Sequence, residues 1–421
     1  MSTSYSAMGP RRKSSKPRNI KYNNQKLVLS LFRYAGKISV SEIASQANLS
    51  KTTITKIVSD FLEKGLIISA GKGESTEEGG KKPELFQFNS TYQYSLIVNM
   101  SHNRVSVFMM DLTSHFVDRI DLREAIAAGD YGSMVQLAAR AIRELLAKNN
   151  VTLSRISGIV IMGDGILDVE NGVIRYSVHH QWPRNLNVCR DLTDALQPDV
   201  PIYIENNSAL TWYADLLDPE NQGFETIVHL VVGAHTGGCV LKKHQLVHGF
   251  NGFMSEYGHI IVDPHSNLTC MCGSKGCFEV MVAPRNVFRN AESWKNEYPD
   301  SPVTEALQRG ELTMPVIFDA SNVGDSFACR LMDDVIRWFC VLIRTIMIAN
   351  DPEKIIIGGD YQFAGRYFLE TLRSMVASTP FFRTGADLPI AYAKESTETS
   401  YLTGASYYLC RKYIDNNHLY D

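Results

Sequence analysis

Cys270-Met271-Cys272-Gly273-Ser274-Lys275-Gly276-Cys277-Phe278-Glu279 is the stretch on which the reading of this chain turns. Three of the eight cysteines fall inside it, and His259 lies a short way upstream. Three thiols and one imidazole complete a tetrahedral set for zinc and leave no position for a catalytic water. His259, Cys270, Cys272 and Cys277 are therefore the expected ligands of a structural Zn2+ ion. Gly273 and Gly276 let the chain fold tightly around it. Such an ion staples a loop that buries too little apolar surface to hold itself. The other five cysteines, Cys189, Cys239, Cys329, Cys340 and Cys410, are scattered and read as core residues.

Around this stretch the chain runs to 421 residues, 44% of them hydrophobic, enough for two or three domains with sizeable cores. The formal net charge of −3 hides an asymmetry: residues 1–88 hold 15 Lys and Arg against 7 Asp and Glu, and the remainder is acidic. A basic head on an acidic body points to a polyanionic partner for the head. No apolar run is long enough to span a bilayer, and the N-terminus lacks a signal-peptide core, so a cytoplasmic protein without a membrane partner is expected.

The first acidic residue is Glu42; before it come Arg11, Arg12, Lys13, Lys16, Arg18, Lys21 and Lys26. Residues 1–18 read as a disordered basic tail. Residues 19–88 read as a winged helix-turn-helix. Leu27, Leu31 and Tyr34 keep helical spacing until Gly36 stops the helix. Ser39 and Glu42 make a capping-box pattern for a second helix. Ser50 caps a third, Lys51 to Lys64, whose apolar stripe is Ile54, Ile57, Val58, Phe61 and Leu62. Its other face carries Thr52, Lys56 and Ser59, flanked by Thr53 and Thr55. Small hydroxyls and a lysine near a helix N-terminus suit a major-groove reader. Two strands, Leu66 to Ala70 and Leu85 to Phe88, would form a wing with Lys81 and Lys82 placed to meet phosphates. The candidate DNA contacts are Ser50, Lys51, Thr52, Thr53, Thr55, Lys56, Ser59, Lys81 and Lys82.

The body alternates buried strands with helices, an α/β pattern expected to form two lobes. Strands are expected around 95–98, 105–111, 159–162, 202–205, 227–232 and 354–358, with helices at 134–148, 283–296 and 326–349. In chain order it carries Gly163-Asp164-Gly165-Ile166-Leu167-Asp168, Glu205-Asn206-Asn207, Gly249-Phe250-Asn251-Gly252, Glu256-Tyr257-Gly258-His259, the cysteine stretch, Gly358-Gly359 and Gly404-Ala405. These segments, with the turn at Leu49-Ser50-Lys51-Thr52-Thr53, resemble the ROK family of repressors and sugar kinases over nearly the whole chain. The resemblance implies a two-lobed actin-like, hexokinase-like ATPase-type fold behind the winged head. Residues 89–205 with 400–421 would form the first lobe, and 206–399 the second, with the zinc site.

The resemblance places Gly165, Asn206, Asn207, Gly252, Glu256, His259 and Glu279 around a sugar or sugar-phosphate effector. Gly165 and Gly252 would allow close backbone approach, and Asn206 could equally cap a helix. One nitrogen of His259 would bind zinc and the other meet a sugar hydroxyl. His179, His180 and Trp182 form a polar-aromatic patch that could line a sugar or, as the preferred reading, pack within its own loop. Kinases of the family carry an Asp where this chain has Asn207, and an amide cannot take the proton of a sugar hydroxyl. Their first phosphate loop, Asp-x-Gly-Gly-Thr, corresponds to Asn99-Met100-Ser101-His102-Asn103, without the carboxylate or the glycines. The second, Gly233-Ala234-His235-Thr236-Gly237-Gly238-Cys239, keeps only part of its glycines. The expected function is a repressor of carbohydrate-metabolism genes, not an enzyme, binding a double-stranded operator as a homodimer or tetramer. A bifunctional ATP-dependent sugar kinase and a repressor relieved by a protein such as a transport component are the competing readings.

Overall fold

The computed structural model describes residues 17–74, 82–101, 103–127, 129–243, 245–383 and 388–421. The expected tail, the wing tip with Lys81, and His102 of the first loop fall outside them, apart from Pro17 and Arg18. The chain divides into two compact units: Met1–Tyr94 with Asp111–Thr113 and Leu409–Asp421, and Ser95–Met110 with Ser114–Tyr408.

The first unit begins with α1 (Pro17–Ala35), two residues before the expected start, with proline at a position that needs no amide hydrogen. There follow β1 (Lys37–Ser39), α2 (Val40–Ala47), α3 (Lys51–Glu63), β2 (Ile67–Lys72) and β3 (Glu84–Phe88). The capping box is formed: Ser39 Oγ accepts from the Glu42 amide, and Glu42 accepts from the Ser39 amide. Asn48 ends α2 in the left-handed conformation, and Ser50 caps α3. The wing is a three-stranded sheet ordered β1-β3-β2, because β1 adds an edge that the sequence pattern did not announce.

Two expected apolar faces are corrected. Leu27 and Tyr34 are 43% and 57% exposed, and α1 instead buries Tyr22, Gln25, Val28, Leu29 and Phe32. That set also has helical spacing and is the more continuous stripe. Leu62 lies at the margin of the α3 stripe and is exposed, while Ile54, Ile57, Val58 and Phe61 are buried. A third correction concerns the C-terminus, which had been assigned to the first lobe. Cys410, Ile414 and Tyr420 belong to the core of the head. The Tyr420 ring packs 6.5 Å from that of Tyr22 and 6.2 Å from that of Phe61, and the Asp421 carboxylate pairs with Arg18 at 2.9 Å. Sequence periodicity marks an apolar face but not which distant element will cover it.

The second unit opens with β4 (Tyr94–Ser101), β5 (Arg104–Asp111), β6 (Phe116–Arg123), α4 (Tyr131–Lys148), β7 (Ile156–Gly163), β8 (Ile166–Asp168), β9 (Val173–Tyr176), α5 (Val188–Leu196), β10 (Ile202–Asn206) and α6 (Asn207–Asp215). It continues with β11 (Thr226–Val232), β12 (Thr236–Lys242), β13 (Gln245–Leu246), α7 (Phe278–Val282), α8 (Pro284–Trp294), α9 (Pro302–Gln308), α10 (Met314–Asn322), α11 (Ser326–Asn350), β14 (Lys354–Gly359), α12 (Gly365–Val376), α13 (Pro380–Arg383), β15 (Ile390–Tyr392) and α14 (Thr397–Asp415). Two five-stranded sheets result, ordered β10-β7-β4-β5-β6 and β13-β12-β11-β14-β15. β10 runs parallel to β7, and β14 parallel to β11. Parallel neighbours need helical crossovers, which cover both faces of the sheet, and β7 is accordingly buried along its whole length. The largest core packs α11 and its neighbouring helices against the second sheet, through Phe278, Phe339, Tyr361 and Phe368.

Candidate functional site

The outer face of α3 is polar for two different reasons. Lys51, Thr52, Lys56 and Ser59 are exposed and face solvent. Three other hydroxyls expected on DNA are engaged within the helix. Ser50 Oγ accepts from the Thr53 amide at 3.1 Å and shares a hydrogen bond with Thr53 Oγ1 at 2.8 Å, while Thr55 Oγ1 donates to the Lys51 carbonyl at 2.8 Å. These shape the start of the helix. Lys82 is exposed at the base of the wing.

In the second unit, His259, Cys270, Cys272 and Cys277 converge so that one ligand atom from each lies within 4.8 Å of the others. Cys272 and Cys277 sulfurs are 3.7 Å apart, and Cys270 Sγ is 3.5 Å from His259 Nδ1. A tetrahedral ion about 2.3 Å from each sulfur would hold two sulfurs about 3.8 Å apart, so the residues fit one. Gly276, in the left-handed region, lies so close to the Asp263 carbonyl that a side chain would collide with it. Of the five remaining cysteines, Cys239, Cys340 and Cys410 are buried, and Cys189 and Cys329 are only partly so.

Beside this cluster lie the sugar candidates. His259 turns Nε2 toward Glu256 Oε2 at 3.8 Å, leaving Nδ1 to the sulfurs. Glu279, buried, accepts from the Thr236 amide at 2.9 Å and faces His235 Nδ1 at 3.9 Å. Burial opposes its charge, but His235 and the Thr236 amide outweigh that and hold the Glu279 carboxyl below the usual range. Glu256 has no such help: burial, then the neighbouring Glu279 and Asp164 carboxylates, push it up to about 7. Asn206 caps α6, its Oδ1 accepting from the Ser208 amide at 2.9 Å. Asn207 opens the helix, and its Oδ1 is buried with no partner among the described residues. Thr236 Oγ1 is in the same condition.

A side chain at either of the two glycines expected against a ligand would meet backbone. At Gly165 a side chain would strike the Tyr176 carbonyl, and at Gly252 the Leu167 carbonyl. Both have positive φ, and they press the surrounding turns onto β8 and β9. The phosphate-loop remnants are similar. Asn99 to Ser101 are simply the end of β4. Gly237 abuts Ser208 Oγ and Gly238 the Tyr257 ring, so these glycines allow α6 and the Glu256 turn to pack on β12.

Further polar residues gather here that the set of candidate ligand contacts left out. Asp164 accepts from Ser177 Oγ at 2.8 Å and faces His180 at 3.6 Å. His180 and Trp182 do pack within their loop, with rings stacked at 3.9 Å. His179 from the same loop meets His235, on the turn between β11 and β12, with ring centroids 4.2 Å apart. Burial holds His179 below the usual imidazole range, whereas Glu279 raises His235. Glu205, fully buried, faces His248 at 3.2 Å. Glu205, next to Asn206, and Asp164, next to Gly165, carried a positional hint; the histidines are brought in by loops.

The ROK family model matches residues 133–411, and a MarR family model matches residues 22–70. A glucokinase from Halalkalibacterium halodurans is 26% identical over 60% of this chain and 77% of its own length. The DNA-binding transcriptional repressor Mlc of Escherichia coli is 24% identical over 80% of this chain and 81% of its own. The crystal structure of a ROK family transcriptional regulator, a homologue of the Escherichia coli Mlc protein, superposes with a TM-score of 0.75 at 20% identity, covering 94% of this chain and 96% of that one. Since the ROK match spans well over half of its length, the chain belongs to the ROK family.

Proposed function

We propose that the chain is a DNA-binding transcriptional repressor of carbohydrate-metabolism genes. A sugar held in its kinase-like body controls it. The observation that carries this is the solvent-facing Lys51, Thr52, Lys56 and Ser59 on a capped helix of a winged head. Base edges in a major groove offer partners to such groups. A repressor relative aligned across both head and body supports the same reading.

In the body, Asn207, Glu256, His259 and Glu279 hydrogen-bond the sugar. A ligand that prefers one conformation of the protein shifts its population, and with it operator affinity. His259, Cys270, Cys272 and Cys277 hold Zn2+, which supplies structure rather than catalysis because all four positions are filled by protein. Two copies reading a palindromic operator fit the symmetry of such readers. No described helix is long and apolar enough to cross a membrane.

The glucokinase relative favours phosphotransfer as the second reading. Asn207 argues against it, because an amide has no carboxylate to accept the hydroxyl proton. A gel-shift titration with DNA upstream of the chain's own gene and its neighbours, with and without sugars, tests the first reading. Absence of any shift on all such DNA defeats it. ADP release in a coupled assay would establish the second.

A further inference from the structure

We propose that α1 packs against α1 of a second copy of this chain, joining two heads along an apolar seam centred on Leu27.

α1 carries two apolar stripes, and the core of the head uses one of them. Tyr22, Val28, Leu29 and Phe32 turn inward. Ile20, Leu27 and Tyr34 turn outward and are 48%, 43% and 57% exposed. Leu31 lies between, half-buried at the edge of the same core. Ile20, Asn24, Leu27, Leu31 and Tyr34 follow one another in alternating steps of four and three residues. Such steps average about 3.5 residues, the repeat that keeps one seam facing a partner helix along its length. On a helix of 3.6 residues per turn the five occupy an arc of roughly 80°. That is the narrow band of a coiled-coil seam, not the broader face of a helix that serves a core.

The occupant follows from what borders the seam. α1 has no acidic residue, and its basic side chains are engaged on other arcs. Arg18 pairs with Asp421 at 2.9 Å, Lys26 Nζ donates to the Asp415 carbonyl at 2.6 Å, and Arg33 Nε donates to the Leu112 carbonyl at 2.9 Å. Arg33 also lies over the Tyr34 ring, 5.2 Å from its centroid, and marks the end of the seam. Lys21 is set roughly 100° round the helix from Ile20. The positions beside the seam, Asn23 and Ser30, are neutral. A charged helix would find no counter-charge there, whereas a second α1 brings an identical neutral border. Asn24 decides the sense of the pair. In a parallel, in-register pair each residue meets its counterpart, and the two Asn24 carboxamides can hydrogen-bond to each other. Reversed about Leu27, Asn24 would be set against Leu31 and leave its amide unpaired. A single Asn at such a position fixes register. Under the repressor reading above the seam holds two copies of α3 at one separation, but the pairing does not depend on that reading.

Thiol cross-linking of the full, metal-loaded chain tests the pairing, with the unsubstituted chain giving the background from its own cysteines. Leu27 is exposed and Asn24 half-buried, so Leu27→Cys and Asn24→Cys spare the core of the head. Under mild oxidation each is expected to form the covalent dimer at least about tenfold faster than Ser30→Cys, because held proximity replaces chance encounter. Equal rates at the three positions, or no cross-linking above background, would overturn the pairing. A bond at Leu27→Cys without one at Asn24→Cys would overturn the parallel register. Adding Leu27→Glu to Asn24→Cys sets two carboxylates in the seam and should slow the bond at least about threefold. An unchanged rate would mean that something other than this seam brings the heads together, and would overturn the proposal as well.

Discussion

The polar residues of α3 and those around Glu279 live in opposite conditions. On α3, Thr52, Lys56 and Ser59 are in water, and Ser50, Thr53 and Thr55 are satisfied within the helix. Around Glu279, which is buried, Glu256 and Asp164 are partly buried, and Asn207 Oδ1 and Thr236 Oγ1 have no partner among the described residues. An exposed polar face costs nothing in the free protein, whereas buried unpaired groups each cost about 1–3 kcal/mol. The head is therefore complete before it meets DNA. The body keeps buried polar atoms with unused hydrogen-bonding capacity, open to a ligand or to water.

The largest expected effect breaks the body and spares the head. Removing the metal with a chelator, or Cys272→Ser, should lower the melting temperature of the body by roughly 10 °C or more, as loss of several kcal/mol at a structural zinc site requires. Calorimetry beside metal analysis reads this, and a body transition that stays in place would refute a structural ion. Next, Lys56→Ala should weaken operator binding by about 1–3 kcal/mol with no change in sugar affinity. Equal losses in both assays would erase the distinction between the regions.

Asn207→Ala is the reciprocal change. It should cost about 1 kcal/mol of sugar affinity and leave DNA binding without sugar intact, as calorimetric titration and gel shift would show. The smallest effect tests how self-contained the head is: Ser39→Ala should destabilise it by about 1 kcal/mol in denaturant unfolding. In the intact box, hydrogen bonds from Ser39 hold the Glu42 carboxyl below its ordinary value. Its contribution is present above the unfolded value and is lost as pH falls through the folded one. Ser39→Ala should flatten that acid limb.

Features confined to neighbouring residues were legible in the one-dimensional pattern. Ser39 with Glu42, Ser50 before α3, and the spacing of Cys270, Cys272 and Cys277 all proved to be local geometry. Where two helical stripes competed, as on α1, the pattern was ambiguous. Leu27 and Tyr34 have the right spacing, but Val28, Leu29 and Phe32 have the neighbours. Glycines were only partly legible for a related reason. Positive φ at Gly165 and Gly252 follows from residue type, but what crowds them is backbone from another strand.

Residue order thus specified the caps, the recognition face, the four-ligand cluster and the absence of a carboxylate at Asn207, since each depends on residue type and short spacing. Folding decided that Tyr420 completes the core of the head, and that His179 and His235 meet beside the buried carboxylate of Glu279. Those contacts join segments far apart in the chain, and burial, which sets their charge and hydrogen bonding, exists only once the segments have packed.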